Sequence, residues 1–158
     1  MLNAMLLLVV VASAGPPKPI RTPGQGAAPI TTKQTTAHLR PMGAMGIAKG
    51  YDRLKAGQFA LAEDRFRLEL DADPSSVPAK RGLALAHAAR RSCDEAIPEL
   101  HALRVAGSWD VDLATAEGNC GLRSGDLSLS VVAFEEGVLL EPNDADAWYG
   151  LARARRGR

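Results

Sequence analysis

A 34-residue period runs through residues 43–158 of this chain, and it limits what the chain can fold into more than any other feature. Stepped by 34, Gly57, Arg91 and Gly125 fall in register, followed by Ala62, Ala96 and Ser130. Phe66, Leu100 and Phe134 form the next column, and Pro74, Ser108 and Pro142 close each unit. Gly50, Ala84, Gly118 and Ala152 run ahead of each set. Small residues recur where two helices must touch closely, and bulky apolar residues recur where they interlock. Gly or a short polar residue marks the turn, and Pro punctuates the end. Two antiparallel helices of this length cannot bury an apolar face alone, so the units must stack. Such a scaffold binds; it seldom catalyses.

No stretch keeps the alternation of a half-buried strand for long, which predicts an all-α fold. Hydrophobic residues make up 46% of the chain and aromatics only 4%, so Leu, Ala and Val must fill the core. Ala suits closely approaching helices and has the best helix propensity. Helices are expected near 44–56, 59–72, 77–90, 93–105, 110–123, 127–140 and 144–156. Ser92 and Glu95 have capping-box spacing. Asp126 is placed to cap the sixth helix, and Asn143 or Asp144 the seventh. Pro78 sits where a first-turn proline is tolerated, whereas Pro98 falls inside a helix and should bend it.

The columns resemble those of the tetratricopeptide-repeat family. The third unit carries Gly118, Gly125-Asp126-Leu127, Phe134 and Glu141-Pro142-Asn143 in the family's places. The second carries Leu83-Ala84 and Asp94-Glu95-Ala96-Ile97, and the first Gly57-Gln58-Phe59, Ala62, Phe66 and Asp73-Pro74. Trp148-Tyr149-Gly150-Leu151-Ala152 opens a fourth unit that stops after one helix. The resemblance implies a right-handed α-solenoid of stacked helix-turn-helix repeats, with three repeats plus a C-terminal capping helix. Departures are Lys49 and Glu117 in a column that is usually Leu, Arg53 in place of an aromatic, and Ser108 in place of a terminal Pro. His87 also lands in a column for a packing aromatic, so a buried or half-buried place is expected.

Ahead of the repeats the chain changes character twice. Met5 to Val11 is an uninterrupted apolar run, and Ala12-Ser13-Ala14 forms an A-x-A cleavage pattern before Gly15. Residues 1–14 thus read as a secretory signal peptide cleaved between Ala14 and Gly15, too short for a helix to span a bilayer. The expected localisation is periplasmic or extracellular. If residues 1–14 are retained, the alternative is a cytosolic or membrane-tethered adaptor. Residues 15–42 hold six prolines and the cations Lys18, Arg21, Lys33 and Arg40 without an acid. They read as a basic disordered linker, with too little apolar surface to offset the entropy of ordering. Residues 43–158 form the repeat domain.

Charge is segregated although the chain's net charge is only +1. Residues 43–152 hold 18 acids against 11 Lys and Arg, and four Arg crowd the last six residues. An acidic domain behind that tail argues against a nucleic-acid partner. His38, His87 and His101 form no H-x-x-x-H pair, and no Cys lies at ligand spacing, so no metal site is expected. There is no phosphate-binding Gly loop and no nucleophile signature. No catalytic residue and no cofactor are therefore expected. An enzyme accessory subunit is the remaining alternative from another functional class.

In stacked repeats of this family the first helices line a concave groove. The resemblance places Ile47, Tyr51, Leu54, Arg81, Leu85, Asn119, Leu122, Tyr149 and Arg153 on that surface. The first part is apolar and the second polar to cationic, which suits a peptide or partner helix with an acidic end. Some members clamp a chaperone's terminal carboxylate, but the matching positions here are Ile47, Tyr51, Gly82, Asp112 and Ala116, so that clamp is absent. The turn of one unit lies beside the end of the next unit's first helix, which brings Cys93 towards Cys120. A disulfide there would suit an exported protein, and two small buried thiols that never pair are the alternative.

Overall fold

The computed structural model describes residues 43–157, which form seven α-helices and no strand. These are α1 (Ala44–Lys55), α2 (Phe59–Ala72), α3 (Val77–Ala89), α4 (Cys93–Val105), α5 (Val111–Ser124), α6 (Leu127–Leu140) and α7 (Ala145–Arg156). The signal and linker readings, His38 and Arg158 lie outside the described residues. Helices α1–α2, α3–α4 and α5–α6 are antiparallel repeats, and α7 packs on the last as a cap. Each second helix lies between its own first helix and that of the next unit. First helices also meet directly, α1 with α3, α3 with α5 and α5 with α7. That layering is an α-solenoid.

The solenoid is set by one wedge per unit. Phe66, Leu100 and Phe134 are fully buried. Phe66 stands between Gly50 of α1 and Gly82 of α3, and Phe134 between Gly118 of α5 and Gly150 of α7. A β-carbon on Gly50 would lie 2.5 Å from the Phe66 ring, and one on Gly118 2.7 Å from Phe134. The space on Gly82 and Gly150 is tighter still. In the second unit the wedge position holds the smaller Leu100, in one apolar cluster with Ala84 and, packed against it, Ala116, the residues in the columns of those glycines. Where the wedge shrinks from Phe to Leu, the glycines on both sides grow to alanine. Volume is conserved, as a close-packed interior requires.

Asp110, Asp126 and Asp144 cap α5, α6 and α7, their carboxylates accepting from the backbone N–H groups of Leu113, Leu129 and Ala147. The expected Ser92–Glu95 capping box does not form, because Ser92 makes no side-chain cap hydrogen bond. Glu95 instead turns towards side chains on neighbouring helices, 3.7 Å from Arg67 and 3.4 Å from the His87 ring. Pro98 sits on the exposed side of α4, which runs on to Val105. A proline there forgoes one helical hydrogen bond, which water can replace at an exposed position.

Two buried charged clusters hold the helices together where the repeat pattern asks for apolar residues. His87 is only 3% exposed. Its Nδ1 lies 2.8 Å from Glu99, and its Nε2 lies 3.4 Å from Glu95 and 3.6 Å from Glu63. Glu63 also pairs with Arg67 and Arg90. Burial raises the Glu99 carboxyl above its usual range, partly offset by the His87 hydrogen bond. Glu117, 1% exposed, pairs with Arg104, which reaches Glu136 at 3.0 Å and lies over the Trp109 ring at 4.5 Å. An acid at a column for Leu is thus compensated by a cation from α4. Burial still raises its carboxyl, with Arg104 opposing.

Candidate peptide-binding groove

The face made by α1, α3 and α5 carries an open groove of about 480 Å³. Tyr51, Leu54, Phe59, Leu85 and Ala88 give it an apolar stretch, while Asp112, Thr115, Asn119 and Arg123 make the facing part polar. Tyr51 is fixed from two sides. Its ring meets Phe66 edge-on with centroids 5.2 Å apart, and its hydroxyl donates to the Pro78 carbonyl at 2.9 Å. The phenol is therefore a rigid part of the wall.

Arg81 joins three first helices across the groove. Its Nε donates to Asp110 at 2.8 Å, Nη2 to Asp112 at 2.7 Å and Nη1 to the Tyr51 hydroxyl at 3.4 Å. Asp110 spends its other oxygen on the α5 cap. Burial works against the Arg81 charge, but the hydrogen bonds from Tyr51 and Asp112 and the field of Asp110 outweigh it, so its pKa rises above the ordinary value. Arg81 therefore braces the wall, with its charge already met by two carboxylates, and is not a spare cation for an acidic ligand.

The sequence-assigned surface residues divide by what they touch. Tyr51, Leu54, Arg81, Leu85 and Asn119 line one groove. Ile47 packs on the Phe66 cluster and Leu122 on the Phe134 cluster. Tyr149 is 63% exposed on α7, with Arg153 stacked 5.8 Å from its ring centre. Sequence reasoning missed Phe59, Thr115 and Arg123, which come from a helix start, a mid-helix position and a helix end. A second, mostly apolar recess of about 350 Å³ lies between α3 and α4 beside Leu70 of α2.

Cys93, at the start of α4, and Cys120, late in α5, are joined as a disulfide with Cα atoms 5.3 Å apart. The link crosses from the second unit to the third, where sequential helices touch most thinly. Arg123 covers it, with Nε 3.4 Å from the Cys93 sulfur and Nη2 3.5 Å from the Cys120 sulfur. Arg123 Nη2 also donates to the Ala88 carbonyl at 2.7 Å.

The model of the tetratricopeptide repeat matches residues 47–108, the span from α1 to the end of the second unit. That match to the tetratricopeptide-repeat family supports a tetratricopeptide-repeat protein. The third repeat and cap continue the geometry past the matched span, since Gly118, Phe134 and Gly150 repeat the arrangement of Gly50, Phe66 and Gly82. Tetratricopeptide repeats are protein-interaction modules, so the chain is a protein–protein interaction scaffold at that level of description. A comparison with curated proteins gave no match. No helix among the described residues is long and apolar enough to cross a membrane.

Proposed function

We propose that the chain is a non-enzymatic interaction scaffold of the cell envelope or secreted space that holds a peptide or partner helix along its concave groove. The observation that carries this reading is the groove itself. It is built from the first helices of consecutive repeats, and its wall is fixed by Tyr51 and Arg81 before any partner arrives. A preformed, partly apolar cleft binds without the cost of ordering its own side chains. The envelope assignment is supported by the apolar run and A-x-A pattern of residues 5–14, and by a cysteine pair whose spacing suits an oxidising compartment.

Two measurements test it. Thr115→Arg and Ala89→Arg place a long side chain in the groove from positions outside the core clusters. Both variants should keep the wild-type circular dichroism and melting temperature while losing a partner that co-purifies with the wild type from envelope extracts. Equal recovery of that partner would move the binding surface elsewhere. Mass spectrometry of the mature N-terminus tests the compartment: a chain starting at Gly15 supports export, and one starting at Met1 in the cytosol opposes it.

A further inference from the structure

The arginines of this domain mostly face carboxylates. Arg67, Arg81, Arg90, Arg104 and Arg155 each lie within ion-pair distance of Asp or Glu. Beside the groove the pattern breaks. Arg91, Arg123 and Arg153 surround a recess of about 250 Å³ with Asn119 and Leu122, and none of the three has a carboxylate partner among the described residues. Arg123 is held by neutral acceptors, the Ala88 carbonyl and the two disulfide sulfurs. Arg153 rests on the Tyr149 ring. In a domain with more acids than bases, three cations converging without an acid is a selective arrangement.

Arg91 adds a second, independent sign. It occupies the turn between α3 and α4 with φ +69°, the left-handed region that disfavours a side chain. The same column in the first and third repeats is Gly57 at +72° and Gly125 at +81°. The second repeat therefore accepts backbone strain where glycine would cost nothing, and the side chain it gains is an exposed guanidinium at the recess. Strain kept against an available relief points to use at that position. Arg91 also works against its neighbour: burial first and the Arg91 charge second lower the Arg123 pKa below its ordinary value. An anion between them would relieve that repulsion.

We propose that Arg91, Arg123, Arg153 and Asn119 form an anion subsite that takes an Asp or Glu carboxylate of the partner held in the groove. The recess and the groove share Asn119 and Arg123, so one ligand can occupy both. Its apolar residues would lie on Tyr51, Leu54 and Leu85, with the acid following towards Arg153 in the later part of α7. That course leads away from Asp144 and Asp146, which line the groove at the start of that helix. Guanidinium forks match a carboxylate's two oxygens, and the Asn119 amide adds a neutral donor. The subsite rests on the groove reading for its partner, although its anion chemistry can be measured alone.

The probe is N-acetyl-glutamate amide, titrated at low salt into the oxidised protein labelled with ¹⁵N, following arginine Nε–H and Asn119 side-chain signals. The subsite predicts saturable shifts at Arg91, Asn119, Arg123 and Arg153. Arg91→Gly should weaken the apparent affinity about tenfold, the scale of one lost charge-assisted hydrogen bond, while leaving the fold at least as stable. Equal shifts at Arg53, Arg155 and Arg156, or unchanged affinity in Arg91→Gly, would overturn the subsite. A second titration uses inorganic phosphate: saturation by phosphate without any by the carboxylate would overturn the carboxylate assignment. Phe59→Ala separates the two readings, since it removes an apolar groove contact that does not line the recess and should weaken the partner while leaving the carboxylate titration intact. Saturation by the probe with no partner held in the groove would leave the anion subsite standing and sink the groove.

Discussion

The Phe66 ring occupies the space that a side chain on Gly50 would need, 2.5 Å from where a β-carbon would stand. This contact explains why a glycine is kept in the middle of a helix, where alanine is favoured by about 1 kcal/mol. Gly50→Ala should reverse that preference and destabilise the domain by about 1–3 kcal/mol through overpacking. Combining Gly50→Ala and Gly82→Ala with Phe66→Leu reproduces the Ala84–Leu100–Ala116 arrangement of the second repeat. The triple variant should be more stable than the sum of its parts predicts, as denaturant melts analysed as a mutant cycle would report. Simple additivity would mean that the wedge and its glycines are not coupled.

Truncation tests the same packing from the other side. Phe66→Ala and Phe134→Ala should each cost about 3–5 kcal/mol, because both rings are fully buried and their glycine neighbours have no side chain to fill the cavity. Enlarging Ala62 or Ala96, both completely inaccessible, should cost about 1–3 kcal/mol. Thermal melts that match the wild type would show the repeat register to be misplaced.

Much of this was legible in the sequence because the repeat writes itself several times. The phase of the small and bulky columns located all seven helices, with ends displaced by at most one residue. Asp126 was readable as a cap from its position before an apolar-periodic run, and Asp144 as one of two candidates with Asn143. Asp110 was not read as a cap; the helix was expected to begin at that residue, and it begins at Val111. A second small column, Gly82, Ala116 and Gly150, also repeats every 34 residues and went unread. It marks contacts between one unit's wedge and the next unit's first helix, and no local pattern distinguishes it from ordinary helix composition.

The charged contacts were hidden for a different reason. Arg81 meets Asp110 and Asp112 across 29 and 31 residues, and Arg104 meets Glu117 from a neighbouring helix. Only the superposition of units brings these residues together. The capping-box spacing of Ser92 and Glu95 misled because distant side chains, Arg67 and His87, compete for the same carboxylate.

Glu117 gives a pH dependence with a definite sign. Its carboxyl is raised above 4.5 in the folded state, chiefly by burial. Above 4.5 and up to that raised value the folded state binds more protons than the unfolded one, so this residue's contribution to stability falls as pH rises. The stability of the wild type minus that of Glu117→Gln should therefore decline with increasing pH across the window. Denaturant unfolding of both proteins at a series of pH values measures it, and a difference that rises with pH would contradict the assignment.

The disulfide closes a loop of 27 residues across the junction of the second and third repeats. In the chain-entropy account it contributes about 3.5 kcal/mol. Replacing both cysteines with serine, or reducing the protein, should lower stability by roughly that amount. Non-reducing peptide mapping of protein recovered from an oxidising compartment should find Cys93 and Cys120 in one linked peptide. Two free thiols there would remove the staple from this account.

Site-specific photo-crosslinking tests the groove most directly. A benzophenone amino acid replaces Leu85 in the groove or, as a control, Val132 on the exposed side of α6. Irradiation in the native compartment should give a crosslinked protein partner from position 85 and none from position 132, with the adduct lost when Thr115→Arg is added. The same partner captured equally from both positions, or from position 132 alone, would contradict a scaffold that binds through its concave face.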